Sequence, residues 1–173
     1  MKRFLKYVSI LLAVPLLILL FLRMNNDLGI PKEQILADAL ESHAINSSWL
    51  HTPVSTTDRM AAMLFYSPDK DDFTFSIYVN RPGFSFGYFF RGGGTIVEVQ
   101  DYVAEFMVEG YTARAYVSMN AQGICSAEYS SSKGRELMKI DPTEPFALVF
   151  DGNQDVKFFD ASGTLIEAFP HKL

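Results

Sequence analysis

The sequence predicts a mainly β domain, an antiparallel β-sandwich or partly open barrel, preceded by one amphipathic helix and an N-terminal transmembrane helix. Three observations carry this. An almost unbroken apolar run covers residues 7–22, a helical period follows it to about residue 45, and from about residue 59 the apolar positions recur at every second residue with turn residues between runs. The 173 residues, 49% hydrophobic and 20% charged, suit one globular domain with an appendage and exclude wholesale disorder, collagen and a polytopic membrane protein.

Residues 7–22 contain one polar side chain, Ser9, and with Phe4 and Leu5 the span 4–23 approaches the ~20 residues that cross a bilayer. Lys6 and Arg23 stand where long side chains reach the two interfaces, and Pro15 is tolerated in a membrane helix. Lys2, Arg3 and Lys6 precede the run and no acid does, so the positive-inside rule keeps the N-terminus cytoplasmic and exports the remainder. Phe21-Leu22-Arg23-Met24-Asn25-Asn26 offers neither a small-residue cleavage site nor a lipoprotein cysteine. The expectation is a single-pass, uncleaved signal anchor at 4–23 in the cell membrane, a linker at 24–30 and an extracytoplasmic domain at 31–173. Beyond residue 23, 11 basic residues oppose 20 acidic ones, a net −9 that is the wrong sign for a nucleic-acid partner.

Pro31 suits the first position of a helix at about 31–45, in which Ile35, Leu36, Ala39, Leu40 and Ala44 form an apolar stripe away from Lys32, Glu33, Asp38 and Glu41. The polar face is acidic, so the stripe is expected to pack on the domain rather than on a membrane surface. A strand follows at 60–67. Phe73, Phe75, Ile77 and Val79 then alternate with polar residues, as do Phe84, Phe86, Tyr88 and Phe90, and Arg81-Pro82-Gly83 supplies a type II turn between them. Gly92-Gly93-Gly94 reads as a flexible corner or bulge, and 95–100 as renewed strand. Residues 101–109 fit both a strand and a helical stripe, with the β-rich surroundings favouring the strand. Strands at 111–120 and 124–130 are joined through Asn120-Ala121-Gln122-Gly123, and further short strands are expected at 146–150, 156–159 and 164–169.

The chemistry-bearing residues are few. The histidines, His43, His51 and His171, form no HExxH pair, so no metal site is expected, and no motif implies a cofactor. No serine lies in a G-x-S-x-G elbow; a Ser-His-Asp triad assembled in space is not readable from sequence. Cys125, the single cysteine, reads as a buried packing residue in mid-strand. The acidic stretches 69–72 and 151–155 lack EF-hand spacing and read as turns rather than calcium sites. One constellation suggests recognition. With Phe73, Phe75, Phe84 and Phe86 facing the core, Tyr78, Phe89 and Arg91 fall on the opposite face, and Arg114 and Tyr116 lie on a polar strand face. Tyr and Arg are enriched at binding hot spots, so these five form a candidate binding surface unless another layer covers them. The sequence thus points to an extracytoplasmic binding or interaction module of the cell envelope, not an enzyme, with a protein or envelope component as partner. The alternatives are an envelope hydrolase and an accessory subunit of a membrane complex.

Overall fold

The computed structural model describes residues 2–24, 28–43, 45–81, 87–131, 134–152 and 154–173, and within 2–24 the side chains of 11, 13–22 and 24. Helix α1 covers Lys2–Met24 with Pro15 inside it. Among the described residues no helix is long and apolar enough to cross a membrane. The predicted amphipathic helix opens as a single 3-10 turn, Lys32–Gln34, and continues as α2, Ile35–Ser42. Among the described residues of its stripe, Ile35 and Ala39 are the fully buried ones, one turn apart on the face turned to the domain.

Among the described residues the strands form three β-sheets. The first joins β1 (Leu50–His51), β2 (Ser55–Thr56), β3 (Met60–Tyr66), β4 (Phe73–Asn80) and β5 (Tyr88–Gly94), with β1 and β2 side by side along one edge of β3. A short helix α3 (Val97–Asp101) leads to β6 (Val103–Met107) and β7 (Arg114–Ser118). These form the centre of the second sheet, flanked by β10 (Phe146–Phe150) and β13 (Ala168–Lys172). The third sheet orders β12 (Leu165–Ile166), β11 (Lys157–Asp160), β8 (Ile124–Ser131) and β9 (Gly134–Lys139). Every pairing between named strands is antiparallel except β6 with β13, which runs parallel.

Period-two alternation sorts the side chains into layers. Met60, Ala62, Leu64, Phe75 and Ile77 of the first sheet meet Ala104, Phe106, Ala115 and Val117 of the second. The other face of the first sheet, with Ala61, Met63, Phe65 and Tyr78, is capped by Ile35 and Ala39 of α2. The other face of the second, with Val103, Tyr116, Phe146 and Phe150, is capped by Ile124, Ala127 and Phe158 of the third sheet. The order is therefore helix, sheet, sheet, sheet, a sandwich extended by one layer on each side. Strand β3 lies buried on both faces, which is why its sequence, MAAMLFY, is apolar throughout instead of alternating.

Several expectations are corrected. Residues 97–101 are helical, not strand, because Val99 alone turns into the central cluster while the amide of Met119 bonds the Val99 carbonyl at 2.7 Å. Residues 92–94 are not a corner; they complete β5 opposite Ile77, Ser76 and Phe75, and the bulge is at Arg91, the extra residue where the β4–β5 register shifts. The run 164–169 is two strands, since the chain leaves the third sheet after Ile166 and enters the second at Ala168. Strand β9 was not foreseen: its Arg135, Glu136 and Lys139 are poor β formers, tolerated on an edge strand. Residues 103–107 are strand, as favoured. The turn and strand start expected at 82–86 lie outside the described residues, as do Ala44 of the helical stripe and Asn153 of the acidic turn.

Cys125 is half-buried, not enclosed. Phe159 pairs with Ser126 and Asp160 with Ile124, so Cys125 is the extra residue of a bulge, and its carbonyl accepts from the Ile140 amide at 2.9 Å. The thiol is expected to react with iodoacetamide in the native protein, more slowly than free cysteine. Full protection until denaturation would contradict this placement.

Candidate functional site

The five residues of the predicted binding surface are not brought together. Tyr78 is 0% exposed beneath α2, where its hydroxyl donates to Asp38 Oδ2 at 2.7 Å. Burial first and the Asp38 carboxylate second push the Tyr78 hydroxyl far above the ordinary tyrosine range. Tyr116 is 2% exposed on the other side of the molecule, in the layer between the second and third sheets, and donates to Glu105 Oε1 at 3.1 Å. Arg114 pairs with the same Glu105 oxygen across the β6–β7 ladder. Phe89 is half-buried under the Arg81 guanidinium, 4.1 Å from its ring centroid, and of the five only Arg91 is exposed. Two outer layers, α2 and the third sheet, cover the faces that the strand pattern alone leaves free.

What the fold assembles instead lies along the border of α2 and β5. Asp38 and Ser42, one turn apart, flank the buried stripe of the helix, and the chain ends that helix at His43. The His43 ring lies over the first sheet with Nε2 2.8 Å from Ser76 Oγ, and makes an edge contact with Phe90 at 5.6 Å between centroids. Phe90 makes a second edge contact with Tyr78 at 5.5 Å. Gly93, directly opposite Ser76, leaves the room for the imidazole: a Cβ there would stand 2.8 Å from His43 Cε1.

Two hollows open on either side of His43. One, of about 550 Å³, is lined by His43, Trp49, Asp71, Asp72, Thr74 and Thr95 among others, where the β3–β4 turn meets the segment after α2. The acidic turn is held by its own bonds, the Ser67 hydroxyl and the Asp71 amide both donating to Asp69 Oδ1, with Lys70 at φ 63°. The other hollow, of about 260 Å³, is walled by Tyr78, Tyr88, Phe89 and Phe90 around Asp38, with residues 28–30 along its rim.

The Ser76–His43 contact is the pair a serine nucleophile uses, but its geometry here suits positioning. Ser76 is 0% exposed and lines neither hollow, and the Asp38 carboxylate is engaged by the Tyr78 hydroxyl. Among the described residues no group of three His, Cys, Asp or Glu side chains is placed to hold a metal ion. Asp38 and Phe90 were missed as candidates because each sits inside a patterned element whose periodicity says nothing of what packs on it, and His43 and Trp49 because they lie between elements. The one sequence signal was Asp38, a polar residue directly beside the stripe residue Ala39.

Burial holds the His43 imidazole below the ordinary histidine range, with Asp38 opposing it more weakly. A depressed histidine adds stability that is complete above the unfolded value, about 6.5, and is lost as pH falls towards the folded value. The wild-type thermal midpoint is therefore expected to drop, as pH falls below about 6.5, more steeply than that of His43→Gln. Parallel curves for the two proteins would remove His43 as the cause.

Comparison with known proteins finds no matching family model, no matching curated protein and no matching solved structure.

Proposed function

We propose that this chain is a single-pass, membrane-anchored extracytoplasmic β domain that binds a component of the cell envelope along the border of α2 and the first sheet. The anchor rests on the sequence: the apolar run of residues 7–22, three basic residues before it and no cleavage site after it. The observation that carries the binding reading is the pair of hollows on either side of His43. Together they offer aromatic rings, carboxylates and hydroxyls on a rigid sheet, the mixture that lines small-ligand sites. Binding rather than turnover is favoured because the serine beside His43 is enclosed.

The test uses the intact protein in its own membrane. Mass spectrometry of the membrane fraction is expected to find the chain with residues 1–22 retained. Thr74→Arg, which fills the larger hollow from a half-buried strand position, is expected to abolish cross-linking to envelope components that wild type shows. A soluble product beginning near residue 25, or identical cross-linking by wild type and Thr74→Arg, would remove the reading.

A further inference from the structure

The smaller hollow has a composition that selects a ligand. Four aromatic side chains, Tyr78, Tyr88, Phe89 and Phe90, line the hollow beside one carboxylate, Asp38, and among the described residues no Lys or Arg lines it. The two tyrosines are fixed: Tyr78 is bonded to Asp38 Oδ2, and the Tyr88 hydroxyl donates to the Thr57 carbonyl. Phe90, at 48% exposure, presents an open ring. Asp38 is half-buried, and among the described residues Oδ1 receives no hydrogen bond. Aromatic faces carry negative quadrupoles and a nearby carboxylate carries charge, so both attract a cation, and a low-dielectric wall strengthens the attraction. The chain already uses this chemistry next door, where Arg81 stacks on Phe89.

Size and position narrow the cation. At about 260 Å³ the hollow lies below the ~300–1,000 Å³ of sites that enclose whole drug-sized ligands, so it fits a head group. Its rim includes Leu28, four residues beyond the last residue of α1, Met24, and four residues of extended chain span at most about 14 Å. With α1 as the anchor, the rim is tethered at or just beyond the head-group layer. The net −9 of residues 24–173 raises the local concentration of cations there.

We infer that the Asp38–Tyr78–Tyr88–Phe89–Phe90 hollow binds an organic ammonium group, of the kind carried by phospholipid head groups and by free small amines. This names the ligand class for the binding reading above and rests on it. Asp38 supplies the counter-charge through its free oxygen, the exposed Phe90 ring and the half-buried Phe89 ring meet the methyl or methylene shell of the cation, and the buried Tyr78 and Tyr88 back the hollow.

Choline chloride titrated calorimetrically into the full chain in uncharged maltoside micelles is expected to bind saturably in the millimolar range. Its neutral isostere 3,3-dimethylbutan-1-ol should not bind. Asp38→Asn keeps an acceptor for the Tyr78 hydroxyl but removes the charge, and is expected to weaken choline about tenfold; Phe90→Leu keeps the apolar contact but removes the ring face, and should weaken it several-fold. Nanodiscs separate the two sources. Phosphatidylethanolamine discs that block choline where pure phosphatidylglycerol discs do not identify a lipid head group, and equal choline affinity in both identifies a soluble amine. Equal binding of the neutral isostere, or an unchanged affinity in folded Asp38→Asn, would overturn the inference. If that occurs while Thr74→Arg abolishes cross-linking, this inference alone falls; a cleaved, soluble chain removes the anchored reading whatever choline does.

Discussion

Phe106→Ala is expected to cost about 3–5 kcal/mol, a large share of the ~5–15 kcal/mol by which a domain is ordinarily stable. Phe106 is 1% exposed on β6, which is paired on both sides, antiparallel with β7 and parallel with β13. Its ring lies 4.3 Å from that of Phe75 across the first two sheets and 5.6 Å from the His171 imidazole beside it. The neighbours in the central layer include Ala104, Ala115 and Ala147, too short to reach into the space a lost ring would leave. The sheets cannot close on that space either, because α2 and the third sheet hold their outer faces. The removed ring therefore costs its transfer free energy and leaves a cavity. Chemical denaturation should show a lower midpoint with an unchanged slope. Phe90→Ala, on a half-exposed ring, is the comparison and should cost about 1 kcal/mol. A loss from Phe106→Ala no greater than from Phe90→Ala would mean the central layer is not what holds the domain.

The strand pattern made the central layer legible. Phe73, Phe75, Ile77 and Val79 alternate in the sequence and share one buried face in the structure. The turn at 120–123 was equally legible: Asn120 and Gly123 both have φ near +60°, and the Asn120 amide ties the turn by accepting from the Ile124 amide at 2.7 Å and donating to the carbonyl of Asp141 at 2.9 Å. Period two says which residues share a face but not what covers that face. Tyr78 and Tyr116 looked free for this reason, and each is buried by an element distant in sequence, α2 for one and the third sheet for the other. The candidate site was illegible for a related reason. Asp38 and Phe90 are brought together by packing of helix on sheet, and no local spacing records that contact.

Gly93→Ala is expected to destabilise the domain by on the order of 3 kcal/mol, more than a single methyl group on a strand surface would suggest. Gly93 faces α2, and a Cβ there would lie 2.5 Å from the Phe75 carbonyl oxygen and 2.8 Å from His43 Cε1. The first neighbour is backbone in a paired strand and cannot yield without breaking the β4–β5 ladder; the second is a side chain that can be expelled. The two contacts are separable. His43→Ala combined with Gly93→Ala should recover the smaller part of the loss, because the carbonyl contact remains, and the two substitutions should not add. Gly92→Ala is the control. Its Cβ would face the opposite layer and meet first the end of the Leu173 side chain, at 3.1 Å, which can give way, so about 1 kcal/mol or less is expected. Expelling His43 also frees Ser76 Oγ and shifts the ring that rests on Phe90, so Gly93→Ala, where it folds, should weaken choline binding as well. Equal stability of Gly93→Ala and Gly92→Ala would show that neither the Phe75 carbonyl nor the imidazole crowds that position, and the placement of His43 over the sheet would fall with it.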